Sequence, residues 1–424
     1  MNQDRNSRVQ VARRTAALVL AIALAAGCSS LDPIQPATTT GSADFSRYVA
    51  IGTSISMGIQ NAGLVEDFQV QSFPSQLARQ TGANGGNFVQ PLVADPGISN
   101  FAPGIGVLEL TGFVPGPVGP LPVIQPRPGT PPTAPTTPRP ANGYHNLGIS
   151  GALVADALAK TSGNPPSNYF DIVLQGQGPM ITQALNQNPT FITVELGVND
   201  VVGGVLLADP SFIVPPAIFQ TLYTQLLDSI ATRAPNAKLA LANIPSVTDI
   251  PFATTIPIDF PVPIGNSVVF VRLKDASGDL PDGSLVILTA QDSIAAGVGL
   301  TPGRPLPDDL VITPDERTQI DDAVRAYNVI IAALATARGA ALADEFALFE
   351  NLRENGLELG GTTYSFDFVS GGLFSLDGVH PSSLGYALLA NEFIRAINSK
   401  FGATIPDVDL RGIVEPALLA AARE

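Results

Sequence analysis

Two histidines and one cysteine occur in 424 residues, so the search for a nitrogen base or a thiol is short. His380 stands in Ser375-Leu376-Asp377-Gly378-Val379-His380-Pro381, three residues after Asp377. An aspartate so placed can accept a bond from one ring nitrogen, fix the tautomer and leave the other nitrogen free as a base. His145 has no comparably placed carboxylate; the nearest downstream is Asp156. If the chain is a histidine-dependent enzyme, His380 is the base by elimination. The plainer alternative is a loop that opens a helix, with Pro381 and Ser382 at its start. A hydroxyl nucleophile is offered by Gly52-Thr53-Ser54, directly after an apolar run. A serine at the carboxyl end of a strand, opening a helix, exposes its hydroxyl and offers its own N–H to an oxyanion. A simple Ser or Thr helix cap explains the same residues. Two Gly/Asn clusters complete the set. In Asn146-Leu147-Gly148-Ile149-Ser150-Gly151 the Gly148 N–H is expected to point into a cleft. In Gly197-Val198-Asn199-Asp200 the Asn199 amide is a second donor, and Asp200 reads as a helix cap. Turn chemistry alone also accounts for both clusters, since Gly and Asn fill positive-φ positions.

These residues fall where an alternating α/β pattern would place them. Short apolar runs are expected as strands at Tyr48–Ile51, Phe191–Leu196, Lys238–Ala242 and Ala340–Ala343, each followed by Gly, Asn or Asp. Helical patterns lie between and after them, at Ala217–Arg233, Pro314–Arg338 and Ser382–Asn398. Buried strands alternating with helices argue for a parallel sheet covered on both faces. In such sheets ligands bind beyond the carboxyl ends of the strands. Two stretches interrupt the rhythm. Residues 91–140 hold 14 prolines and are expected to be extended or irregular surface chain without ladder bonds. Residues 252–312 are proline-rich at first, then strand-like at Ser267–Arg272 and Leu285–Leu288, as a small β excursion or lid would be.

Composition narrows the function classes. Hydrophobic residues make up 45% and net charge is −15 with only 22 Lys and Arg, which argues against disorder and against nucleic-acid binding. One cysteine excludes an internal disulfide and a Cys-based metal site, and two histidines leave little for a His-rich one; no cofactor or metal is expected. Charged residues are 14%, against about 25% in ordinary domains. The N-terminus carries Arg5, Arg8, Arg13 and Arg14, an apolar run from Thr15 to Ala26, then Gly27-Cys28. Such a segment reads as an export signal, and the run is too short to span a bilayer, which needs about 20 residues. Residues 29–44 are rich in Ser, Thr, Pro and Gly, as a flexible tether is.

Taken in order, Gly-x-Ser at 52–54, Gly148, Gly-x-Asn-Asp at 197–200 and Asp-x-x-His at 377–380 resemble the four blocks of the SGNH hydrolases, also called GDSL esterases and lipases. Tyr48–Gly58, Ser72–Ala78, Ala242–Pro245 and Asp377–Asn391 strengthen the likeness, which spans residues 46 to 398 apart from the two insertions. The resemblance implies a flavodoxin-like three-layer α/β/α sandwich on a five-stranded parallel sheet. It implies Ser54 as nucleophile, His380 as base, Asp377 as the group orienting it, and an oxyanion hole from Ser54, Gly148 and Asn199. It implies hydrolysis of a small-molecule, lipid or glycan ester. One position departs from the pattern: the family's aspartate before the nucleophile is Thr53 here, whose hydroxyl is expected to take a local backbone bond. A non-catalytic binding lipoprotein on the same fold is the alternative. Ala25-Ala26-Gly27-Cys28 resembles a bacterial lipobox, with Ala25 where a leucine is usual, and implies lipid attachment at Cys28 and a place in the cell envelope. The expected organisation is a signal peptide at 1–27, a tether at 28–44, the hydrolase domain at 45–400 and a tail at 401–424.

Overall fold

The computed structural model describes residues 38–99, 104–115, 120–163, 168–265 and 267–413. The signal segment, Cys28, most of the tether and residues 414–424 lie outside the described residues.

Five strands form the central sheet: β1 (Tyr48–Gly52), β2 (Asn146–Gly148), β3 (Phe191–Glu195), β4 (Lys238–Ala242) and β5 (Ala341–Ala343). Every pairing is parallel, and the order is β5-β4-β3-β1-β2. β1 and β3 are buried at all five positions, in keeping with their mostly apolar sequences. The strand order reverses beside β1, between β2 and β3. That reversal opens a crevice beyond the carboxyl ends, the usual ligand site of such sheets.

Helices cover both faces. Those used below are α1 (Ser54–Met57), α2 (Phe73–Thr81), α3 (Val154–Ala159), α4 (Met180–Asn186), α5 (Asn199–Leu206), α6 (Pro216–Arg233), α7 (Pro314–Arg338), α8 (Glu345–Asn355) and α9 (Ser383–Phe401). α2 packs on α9, with Phe73 and Phe393 stacked at 4.4 Å. α3, α4 and α7 all pack against α6 on the other side, where Phe219 of α6 and Tyr327 of α7 stack at 3.9 Å. α7 is well bounded by its sequence. Thr313 and Glu316 form a reciprocal capping box, and Gly339 ends the helix at φ +62°.

Both insertions differ from a plain loop. Leu108–Pro115 and Pro120–Pro126 pair as an antiparallel hairpin, against the expectation that proline would prevent a ladder. Pro120, Pro122 and Pro126 share one parity. The alternate parity faces the partner strand, since the next residue in that series, Arg127, donates its N–H to Val107. The missing proline donors therefore all point outward. In the second insertion Asp259–Ile264 pairs with Ser267–Arg272, and Leu285–Val286 pairs with Val311–Ile312. This region has a small core of its own, built on Leu273, Leu280, Val286 and Leu306.

The domain also extends past the expected boundaries. Ser42 donates its N–H to the Phe401 carbonyl and Ala43 is buried, so the end of the expected tether belongs to the fold. Beyond α9, Asn398 and Asn391 each exchange two bonds with the backbone, at Ile405 and Val408, and hold residues 403–408 against the core.

Candidate active site

The nucleophile candidate sits on the tight link between β1 and α1. Thr53 is the N-cap in extended geometry, Ser54 opens the helix, and Gly58 closes it at φ +87°. A glycine is required at 52 because a Cβ there would lie 1.9 Å from Ser56 Oγ and 2.8 Å from a Glu195 oxygen. Thr53 Oγ1 accepts from the Ile55 N–H, Glu195 accepts from the Ser56 N–H, and the Thr53 carbonyl accepts from the Met57 N–H. The Ser54 N–H is left without an acceptor among the described residues.

Glu195, which sequence reasoning passed over, anchors this link. Its carboxylate accepts from Thr53 N (3.0 Å), Thr53 Oγ1 (2.7 Å), Ser56 N (3.1 Å) and Ser56 Oγ (2.9 Å). Burial pushes the Glu195 carboxyl above its ordinary range, while these four donors pull it down. Thr53 takes the local backbone bond expected of it and also donates to Glu195. An aspartate at 53 would instead set a second carboxylate against a buried one. The available signal was a charged residue ending an otherwise apolar strand.

The base candidate is fixed from every side. His380 Nδ1 lies 2.9 Å from Asp377 Oδ2. Asp377 Oδ1 accepts from Val379 N, His380 N and Ser375 Oγ, and Oδ2 also accepts from Ala62 N. Burial alone would raise the Asp377 carboxyl. The His380 charge and the hydrogen bonds outweigh it and hold the group at about 2. Asp377 is therefore the carboxylate that holds the ring, as its spacing suggested.

Ser54, His380 and Asn199 line one cavity of about 150 Å³ at the carboxyl ends of β1, β3 and β4. Ser54 Oγ and His380 are not directly hydrogen-bonded to each other. Asn199 donates one amide hydrogen to the Ala152 carbonyl at 3.0 Å, which leaves its second amide hydrogen available. The apolar part of the wall includes Leu196, Val202, Ile244, Phe349 and Leu389. A larger cavity of about 380 Å³, lined by Gln60, Phe68, Phe113 and Phe374 among others, contains neither Ser54 nor His380.

Gly148 is placed otherwise than expected. Its N–H donates to Asn146 Oδ1 at 3.0 Å, and it is absent from the cavity wall. It is a glycine because α1 passes close by: a Cβ would meet the Met57 nitrogen at 2.6 Å. Gly151, three residues on, does line the cavity. It is the third residue of a turn closed by Ala152 N donating to the Ile149 carbonyl, and its φ of +78° is what a type II turn demands there. Both glycines stood in the same sequence cluster, and only the turn geometry separates them.

Asp200 caps a different helix from its own. Its Oδ2 accepts from Val154 N, the first residue of α3, at 3.1 Å and so braces the Gly151 turn against α5. Burial first, and the nearby Asp156 charge, raise its carboxyl to about 7 against that hydrogen bond. His145 is structural. Its Nδ1 accepts from Val89 N at 2.8 Å, and burial lowers its pKa, which keeps the ring neutral as an acceptor must be. Glu345, at the start of α8, is a further buried carboxyl on the cavity wall. Among the described residues no group of three or more His, Cys, Asp or Glu is placed to hold a metal ion, and no helix is long and apolar enough to cross a membrane.

No curated protein matches the chain. Among solved structures it is similar to an extracellular lipase from Streptomyces rimosus, at 14% identity over 83% of this chain and 98% of that one, with a TM-score of 0.36. It is similar to phospholipase A1 from Streptomyces albidoflavus at 14% identity over the same shares, with a TM-score of 0.33. It is also similar to an acetyl-xylooligosaccharide esterase from Geobacillus, at 18% identity over 60% and 71%, with a TM-score of 0.29. The family profile described as GDSL-like Lipase/Acylhydrolase matches residues 48–393, and the chain belongs to that family.

Proposed function

We propose that the chain is a carboxylic ester hydrolase that works through Ser54, His380 and Asp377. Family membership supports an ester hydrolase. The observation that carries the finer reading is the meeting of Ser54, Asn199 and the Asp377-held His380 at one cavity from three distant segments. In this reading the Ser54 hydroxyl attacks the ester carbonyl and passes its proton to His380 Nε2. Asp377 keeps the Nδ1 proton in place and stabilises the imidazolium. The developing oxyanion takes the free N–H of Ser54, the Gly151 N–H and the second amide hydrogen of Asn199. The imidazolium then protonates the leaving alcohol, and water repeats the cycle on the acyl-enzyme.

The test is labelling of the purified protein by a fluorophosphonate, with p-nitrophenyl butyrate hydrolysis alongside. Wild type is expected to react and turn over, and Ser54→Ala to do neither. Turnover retained in that variant sinks the assignment. On the sequence alone we also propose Cys28 as the lipid-attachment residue of an exported envelope protein. Cys28→Ala should then move the protein from the membrane fraction to the soluble one; unchanged partition refutes this.

A further inference from the structure

The hairpin of the second insertion, Asp259–Ile264 with Ser267–Arg272, carries apolar residues on its outside. Ile264 is 60% exposed and Phe270 66%, with Val268 and Val269 exposed beside them. Directly opposite residues share a face. Ile264 and Val269 therefore stand on one side with Val262, and Val268 and Phe270 on the other with Pro263 and Pro261. No charged residue occurs from 260 to 271. The charge is gathered at the neck instead. Arg272 donates to both oxygens of Asp259, at 2.7 and 2.9 Å, and to Asp282 at 2.8 Å. Ile258 and Phe260 pack on the small core of the insertion. The ribbon is thus anchored at its base and apolar toward its turn.

Area, edge and charge decide what covers it. A protein partner meets a surface from one side. One face of the ribbon, six residues long and two strands wide, offers about 20 Å by 10 Å, or about 200 Å², against about 800 Å² per partner in a stable complex. Strand addition is blocked on one edge. The Leu273 N–H donates to the Ile258 carbonyl, so residues 258, 260, 262 and 264 face the ladder, and Pro261 and Pro263 stand where outward donors would be. The same prolines lower the cost of moving that edge out of water, because no N–H is left unpaired at those positions. A lipid phase surrounds whatever enters it, and its interior matches the lack of charge on both faces at once. The hairpin of the first insertion repeats the pattern: no charge from 110 to 126, with Phe113, Val114 and Leu121 exposed.

We propose that the 259–272 hairpin docks on a lipid surface, with its apolar end in the outer part of a leaflet and the Asp259–Arg272–Asp282 neck in water. The hairpin contributes no residue to the cavity of Ser54 and His380, and its role is independent of the hydrolase reading. A contact of this size is shallow and reversible, so it leaves the fractionation test of Cys28 intact.

The chain has no tryptophan, which gives a local test. Phe270→Trp places one reporter on the hairpin, and Val329→Trp places one on α7, where Val329 is 71% exposed. Both are made in full-length Cys28→Ala protein, which has no cysteine to lipidate. They are mixed with vesicles of ether-linked phosphatidylcholine, whose chains a carboxylic ester hydrolase cannot remove. Emission of Phe270→Trp is expected to move to shorter wavelength as lipid is added, and emission of Val329→Trp to stay. Adding Ile264→Ser and Val269→Ser to the hairpin reporter should raise the lipid concentration at half-effect by about tenfold or more. No shift at the hairpin, an equal shift at both sites, or a midpoint unmoved by the two serines overturns the proposal. A hairpin shift that follows protein concentration without lipid assigns the ribbon to a second copy of the chain and overturns it too.

Discussion

Glu195→Met removes the acceptor beneath the nucleophile link while keeping an unbranched side chain of similar reach. The Thr53 and Ser56 hydroxyls can rotate toward other partners. The two backbone N–H groups cannot, and both point at Glu195 Oε2, at 3.0 and 3.1 Å. Two buried donors left unpaired, at about 1–3 kcal/mol each, give a loss of about 2–6 kcal/mol. Glu195→Gln is the control. Its carbonyl can take both N–H groups while its amide nitrogen donates to Thr53 Oγ1. Burial raises the Glu195 carboxyl, so losing the charge should not cost stability. We expect Glu195→Gln to melt within about 1 kcal/mol of wild type and Glu195→Met to fall by the full amount in urea titrations. Because Ser54 lies between the two clamped residues, a shift of about 1 Å in its hydroxyl lowers kcat by about 100-fold. Glu195→Met should show that loss on p-nitrophenyl butyrate, and Glu195→Gln should not. A Glu195→Met protein as stable and active as wild type refutes the clamp. Equal damage from both variants would mean that the charge matters and the acceptor geometry does not.

Asp377→Asn keeps the bonds to Oδ1 but turns an amide toward both Nδ1–H and the Ala62 N–H, which need an acceptor, and kcat should fall by about 10⁴-fold in steady-state assays. Wild type gains stability from Asp377 above pH about 4 and loses about 2 kcal/mol as pH falls through about 2, because the folded carboxyl is held at about 2; acid melts of Asp377→Asn should lack that decline. Asp200 has the opposite sign. Its carboxyl is raised to about 7, so the stability tied to it is lost as pH rises from about 4 through 7. Asp200→Asn, which still accepts from Val154 N, should be more stable at pH 8 by up to about 4 kcal/mol in denaturant melts. Asn199→Ala removes one oxyanion donor and should lower kcat by about 100- to 1,000-fold with little change in KM; a change confined to KM would move Asn199 from oxyanion donor to ground-state binding.

The parallel sheet was readable because its strands are buried on both faces and so appear as unbroken apolar runs. β2 was missed because Asn-Leu-Gly is too short and too polar to look like a strand. The positions of Ser54, Asn199, Asp377 and His380 at the candidate site were legible because each ends or follows an element, where local spacing sets the geometry. Glu195 was not. It ends an apolar strand, and its meaning lies in Thr53 and Ser56, which pack against it from more than 100 residues away. Gly148 and Gly151 differ by turn conformation, which the pattern Gly-x-x-Gly does not specify. Proline content misled for the 108–126 hairpin because ladder bonds depend on the parity of the prolines and not on their number.

The chain order of the site carries a temporal consequence. Ser54 is translated early and His380 follows 326 positions later. At about 5–20 residues per second the interval is about 16–65 seconds. Within it β1, the strand that presents Ser54, gains both of its neighbours, since β2 and β3 begin at residues 146 and 191. In the proposed hydrolase the nucleophile is thus made long before its base, and the site is complete only once the last loop and the helix behind it have been added.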